Sequence, residues 1–382
     1  MQHFIHLLKK CCAFCILLAW VLSPLSATAK LVIAQGGSSG YLMEHTLPSV
    51  AMAVAMDADI IKIDTILTAD NEVIVHGSPY LGKATNVAEI FPDKMRGDGL
   101  YYALDFTLEE IRQLSLHDPA KRFPQELKPG LKIPTLEEEL SLIKALNRSL
   151  GKSSLIAVEI KQAWLHRKEG KDPSKPVLSL LKKYGYTGKT NISFLLSYDS
   201  KELKRIRKLL LPEMGMQIKL VQLIESNDGQ ETKTDEWGEW SSYNYDWMFS
   251  KSGLRSLAVS VAAIGLPKSM LVDSKGKLLL DDFVKNAQLL GIMVFTFPVQ
   301  KDTPLRVPFL KTFDEELEFF YFTAGVDGII TDFSKDALHY LNNRAKEHVL
   351  QVAPEESVSP SVEIMSDDPL QLTNPVEVES KE

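Results

Sequence analysis

Eight short apolar runs spaced along the chain constrain its fold more than any other feature. They are Leu31–Ala34, Asp59–Asp64, Ser154–Ile160, Ile192–Ser197, Leu220–Ile224, Val259–Gly265, Ile292–Phe297 and Gly328–Thr331, all rich in Ile, Val and Leu. None alternates strictly between apolar and polar residues, so each reads as a strand buried on both faces, the habit of parallel sheets covered by helices. Amphipathic stretches separate them: Glu44–Met56, Leu136–Leu146, Lys201–Leu210, Asp281–Leu290, Asp314–Thr323 and Ser334–Asn343. Thr135 ahead of Glu137 and Glu138, and Asp332 ahead of the last stretch, are helix-start signals. Strands and helices alternating in this way over roughly 315 residues predict a (β/α)8 barrel with room for insertions. A doubly wound open sheet satisfies the same alternation and stands as the alternative.

Two segments fall outside the alternation. Glu72–Val75 is expected to pair with Asp64–Thr68 as a hairpin across Ala69, Asp70 and Asn71. Asp228–Phe249 begins polar and then gathers Trp237, Trp240, Tyr243, Tyr245, Trp247 and Phe249, which read as a packed flap over the barrel.

The two ends read differently from the middle. Lys9 and Lys10 flank an apolar run from Cys11 to Leu22, and Ala27-Thr28-Ala29 supplies small residues, the pattern of a signal peptide over residues 1–29. Export is therefore expected, with the mature chain starting at Lys30 and the periplasm as destination. Cys11, Cys12 and Cys15 all lie in that leader, and a chain this long buries enough core to be stable without disulfides. No later segment approaches the ~18 apolar residues of a membrane span. Beyond His348 the composition turns to Pro, Ser, Val and Glu without helical period, which predicts a disordered acidic tail over 349–382. Residues 351–382 carry eight acids against Lys381, which accounts for the whole formal charge of −7. The rest of the chain is balanced, with no basic stretch that would mark a nucleic-acid partner.

Chemistry in such a barrel sits at the C-terminal ends of the strands. The polar residues there are Gln35, Lys62, Asp64, His76, Glu159, Lys161 and Asp332. Asp64 and Glu159 are two carboxylates suited to a hard divalent cation, or to plain pairing with Lys62 and Lys161. His76 is a candidate general acid or base and Lys161 a candidate phosphate partner. The run Gly36-Gly37-Ser38-Ser39-Gly40 is a candidate anion cradle of backbone N–H groups. His45, after Glu44 at a helix start, reads as a packing and capping residue. The histidines at 117, 166, 339 and 348 lack ligand spacing and read as structural or exposed.

At these residues the chain resembles the glycerophosphodiester phosphodiesterase family, in its bacterial periplasmic branch. The likeness runs from Lys30 to about Asn343. It includes Leu31-Val32-Ile33-Ala34, Glu44-His45-Thr46-Leu47-Pro48, the run Asp98–Leu108, Val158-Glu159-Ile160-Lys161, Tyr243-Asn244-Tyr245-Asp246-Trp247 and Thr331-Asp332-Phe333.

The resemblance implies a (β/α)8 barrel and hydrolysis of a glycerophosphodiester to an alcohol and sn-glycerol 3-phosphate. It also implies two acid–base histidines, an arginine and a lysine on the phosphate, and calcium or another divalent cation held by two glutamates and an aspartate. Carried to this sequence, the first histidine position is Gln35 and the arginine is Gly36. The metal pair is Lys62-Ile63-Asp64, which keeps the aspartate and replaces its glutamate. His76 stands at the second histidine, followed by Gly77 where an aspartate is usual. Glu159 and Lys161 match the later metal glutamate and the phosphate lysine, and Glu44 the early glutamate. Gln35 has no proton to exchange, and losing one acid–base group costs about 10²–10⁴-fold in rate. Lys62 is expected to stand in place of the cation between Asp64 and Glu159. These replacements leave normal, weakened and absent family activity all open. The alternative function is a non-catalytic periplasmic binding or interaction protein derived from the enzyme, needing no cofactor.

Overall fold

The apolar runs close edge to edge into a ring. The computed structural model describes residues 29–118, 121–124, 126, 130–188, 193–280, 282–302 and 307–352. The leader to Thr28 and the tail from Ala353 lie outside the described residues. The strands are β1 (Leu31–Gln35), β2 (Ile60–Leu67), β3 (Val73–Val75), β4 (Leu155–Ile160), β5 (Ser193–Ser197), β6 (Lys219–Leu223), β7 (Lys233–Glu236), β8 (Glu239–Ser242), β9 (Ala263–Pro267), β10 (Met293–Phe297) and β11 (Gly328–Thr331). Eight of them pair in parallel in the order β1-β2-β4-β5-β6-β9-β10-β11, and β11 returns to β1, so the sheet is a closed eight-stranded barrel with helices between strands. The open-sheet alternative is thereby excluded.

Strand alternation sorts the residues into two apolar layers. Val32, Ala34, Ile61, Ile63, Ile156, Val158 and Ile160 face outward, in the large core that also holds the buried faces of the surrounding helices. Ile33, Ile60, Ala157, Phe194, Leu196, Val221, Leu223, Ala263, Phe295 and Ile330 fill the barrel interior.

The expected hairpin forms: β3 lies antiparallel on β2, with Thr65 opposite Val75 and Leu67 opposite Val73. Asn71 takes the left-handed conformation in its turn, a conformation asparagine tolerates. The long connection after β3 builds a separate small core from Ile66, Ile74, Leu81, Tyr101, Phe106 and Ile133.

Two boundaries differ from expectation. The run at Val259 joins the barrel only at Ala263, because Val259 ends the helix Lys251–Ala258 and is largely exposed. The last helix runs Ser334–Val352, four residues into the segment read as a tail. The aromatic insertion is a two-stranded ribbon, β7 with β8, followed by a 3₁₀ turn at Asp246–Phe249. Tyr245 is buried and Trp240 lies against Trp164 at 5.6 Å, but Trp237 at the ribbon tip is fully exposed and packs on nothing. By contacts the chain divides into Met1–Asn342, which holds the barrel and every site residue, and Asn343–Glu382. Among the described residues no helix is long and apolar enough to cross a membrane.

Candidate active site at the barrel mouth

The alternation that puts Ile33, Ile60 and Ala157 inside the barrel puts Gln35, Lys62, Asp64 and Glu159 above them, nearer the C-terminal ends of their strands. The register brings Gln35 beside Lys62 and Asp64 beside Glu159. With Glu44 and Lys161 they line a cavity of about 220 Å³. Seven of the eight sequence-predicted residues and replacement positions therefore meet at or beside one mouth. Gly36, at the arginine position, lines neither this cavity nor its neighbour.

Lys62 organises the cluster. Its ammonium contacts Asp64 Oδ1 and lies 2.6 Å from Glu159 Oε2. Lys161 Nζ lies 3.1 Å from the other oxygen of Glu159 and 2.9 Å from Glu231 Oε1, contributed by the insertion. All four barrel side chains are at least nine-tenths buried. Burial alone would push Asp64 up, yet the Lys62 ammonium and His45 hold it well below the usual carboxylate range. Burial would likewise depress Lys62, but Asp64 and Glu159 outweigh it and hold the ammonium above its ordinary value. Lys161 is held higher still, by Glu159 and Glu231 against its own burial. Asp64, Lys62 and Lys161 are therefore charged at neutral pH, and Glu159 lies between the two ammoniums. Such a donor set does not suit a hard divalent ion, which needs the carboxylate oxygens that the ammonium of Lys62 already engages.

His45 packs, as its sequence reading expects, but does not cap. The helix starts at Leu47 and Thr46 caps it, accepting from the Ser49 N–H. His45 itself takes a left-handed conformation and buries its ring, with Nε2 3.2 Å from Asp64 Oδ2. Asp64 holds its imidazole above the ordinary value although burial works the other way. The room for this ring comes from two glycines. A Cβ on Gly36 would sit 3.2 Å from His45 Cε1, and one on Gly77 3.3 Å from His45 Nε2. These are the two positions where the family resemblance calls for arginine and aspartate, and here both backbones pass close to the ring.

His76 follows β3 and lines a second cavity of about 920 Å³, shared with His45, Tyr80, Tyr101, His117 and Arg122. Glu44 and Gly77 border both cavities. His76 Nδ1 donates to the Ser78 carbonyl at 2.6 Å, which leaves Nε2 as the lone-pair nitrogen of a neutral ring. Burial pushes its pKa down, favouring that neutral form. His117 borders this cavity and is exposed, as its sequence reading expects. His166 is structural as expected, its Nε2 accepting from the Leu67 N–H at 3.1 Å.

Glu139, on the helix Leu136–Leu150, was read only as part of an amphipathic face. Its side chain is buried near His45 and Asp64, and neither carboxyl oxygen has a hydrogen-bond partner among the described residues. Burial pushes its pKa up to about 8.

The candidate anion cradle is mostly spent within the fold. The N–H groups of Gly36, Ser38 and Gly40 donate to the carbonyls of Lys62, Ser49 and Asp332. Asp332 accepts from Gln300 Nε2 at 2.9 Å and meets Arg122 at 3.3 Å.

The sequence profile described as the glycerophosphoryl diester phosphodiesterase family matches residues 36–336. The chain belongs to that family. A glycerophosphodiester phosphodiesterase of Treponema pallidum is 36% identical over 337 residues, covering 84% of this chain and 94% of the relative. One of Haemophilus influenzae is 36% identical over 328 residues, covering 82% and 90%. Among solved structures, a phosphodiesterase of Oleispira antarctica in complex with the product sn-glycerol-3-phosphate superposes with a TM-score of 0.56 at 18% identity, over 82% of this chain and 97% of that one. The family fold and this barrel agree.

Proposed function

We propose that this chain acts on glycerophosphodiesters as its family does, releasing an alcohol and sn-glycerol 3-phosphate, at a rate far below that of its relatives. The observation that carries the reduced rate is Gln35 at the end of β1, an amide whose Nε2 lies 3.5 Å from Asp64 Oδ2 where the resemblance places an acid–base histidine. An amide holds Asp64 but transfers no proton, and one missing acid–base group costs about 10²–10⁴-fold. His76, neutral and buried in the wall of the larger cavity, is the remaining group at a family acid–base position. Lys161 is the remaining cation at the phosphate position, though Glu159 and Glu231 both engage it. The leader pattern over residues 1–29 supports export to the periplasm, where such diesters are small-molecule ligands.

A second reading, full activity through His45 with His76, is favoured by the two imidazoles lining one cavity. One experiment separates the readings. The protein is recovered from the envelope fraction, its intact mass is checked for a start at Lys30, and sn-glycerol 3-phosphate release from glycerophosphocholine is compared with that of the Haemophilus influenzae relative. The expected rate is at least about 100-fold lower, and His76→Asn removes what is left. A rate equal to the relative's, abolished by His45→Asn, establishes the second reading. No release at all, with glycerophosphocholine still bound, establishes a binding protein. A species retaining Met1–Ala29 overturns export.

A further inference from the structure

Every oxygen of the two barrel carboxylates is already faced by a group of this chain. Asp64 Oδ1 takes the Lys62 ammonium, and Oδ2 faces His45 Nε2 at 3.2 Å and Gln35 Nε2 at 3.5 Å. Glu159 Oε2 takes Lys62 at 2.6 Å, and Oε1 lies 3.1 Å from the Lys161 ammonium without a hydrogen bond to it. A calcium ion binds six to eight oxygens at about 2.3–2.6 Å. The Lys62 nitrogen lies at the outer limit of that distance from Glu159, with one further contact to Asp64. An ion entering here would meet a monocation at contact range, in a site where buried like charges repel strongly.

We propose that Lys62 is the resident cation of this barrel mouth, and that the chain holds Asp64 and Glu159 in place without a divalent metal. Three features fit this assignment together. The ammonium bridges the two carboxylates that the family resemblance gives to the ion. The third carboxylate of that set is the one Lys62 replaces, so its exchange both removes a ligand and supplies the charge. The ring of His45, seated between Gly36 and Gly77, closes the side of Asp64 that faces away from Lys62. The proposal holds whatever the rate of hydrolysis, because it concerns what neutralises the carboxylates.

The test uses the mature full-length chain, with calcium chloride alone as the probe. Calorimetric titration of the wild type should show no saturable binding tighter than about 1 mM, the weak end of calcium sites, and its melting temperature should not change with calcium or EDTA. Lys62→Glu should gain calcium binding at least about 100-fold tighter than the wild type. Lys62→Met, which preserves bulk and removes only the charge, should melt lower than wild type and recover on adding calcium. Micromolar binding by the wild type overturns the proposal. So does a Lys62→Met protein whose melting is indifferent to calcium, since Lys62 would then not be what keeps the ion out.

Discussion

The lower interior of the barrel and its mouth are built from the same strands two residues apart, yet they are stabilised in opposite ways. Below, Ile33, Ile60, Ala157, Phe194 and Phe295 close on one another without a polar atom among their side chains. Above, Lys62, Asp64 and Glu159 are nearly as buried and stay in place because each charge has an opposite neighbour. The floor tolerates any change that keeps its volume, because burial is non-directional. The mouth tolerates only changes that keep the pairing, because a lone buried charge costs several kcal/mol, on the order of 3–5. The fold lives in the first kind of region and the candidate site in the second, so the fold persists here while residues of the mouth differ from those the resemblance implies.

The comparison is broken most directly at the floor. Phe295→Ala removes a ring that is 1% exposed and sits 5.9 Å from Phe194, edge to face. It should cost about 3–5 kcal/mol in denaturant unfolding, equally at pH 5 and pH 8, since no charge is involved. A loss that varied with pH would mean that the floor is coupled to the mouth.

Glu139→Gln sharpens the contrast from the other side. A carboxyl with folded pKa raised to about 8 binds a proton that the unfolded chain has released. Its contribution is fully present below the unfolded value of roughly 4.3, falls as pH rises, and levels off above the folded value, a change on the order of 5 kcal/mol at most. The glutamine variant should flatten that decline and melt higher than wild type at pH 8.5. Parallel pH profiles for the two proteins would show that Glu139 is not the group responsible.

The smallest expected effect belongs to neither region and calibrates both. Thr135 and Glu138 form a reciprocal capping box at the start of the helix that carries Glu139. Thr135→Ala should cost about 1 kcal/mol by thermal unfolding, with no change in the pH profile.

The floor was almost wholly legible in the sequence. All eight runs became barrel strands, because uninterrupted Ile, Val and Leu leave a chain few other ways to bury its backbone. The run at Val259 was drawn too early only because a helix end and a strand start are both apolar there. At the mouth, residue identities and strand ends were legible, including the meeting of Lys62 with Asp64 and Glu159. His45 was not, because its place depends on a left-handed turn and on space left by glycines 41 residues apart. Glu139 was missed although the period marks it: with Leu136, Leu140 and Ile143 it falls at i, i+3, i+4 and i+7 of the buried stripe, whereas Glu137 and Glu138 do not. The loop amides after β1 were misjudged for a different reason: composition shows which N–H groups exist, and only the fold shows which carbonyls have claimed them.

The seating of His45 also bears on which substitutions the mouth admits. An arginine at position 36 would place its Cβ 3.2 Å from that ring in a backbone conformation that glycine holds most easily, and an aspartate at position 77 would place its Cβ 3.3 Å from the same ring. Both spacings are tight rather than forbidden, so the ring must give by a few tenths of an ångström, and with it the imidazole that faces Asp64. Either family side chain, restored here, is therefore felt at the carboxylate that Lys62 holds.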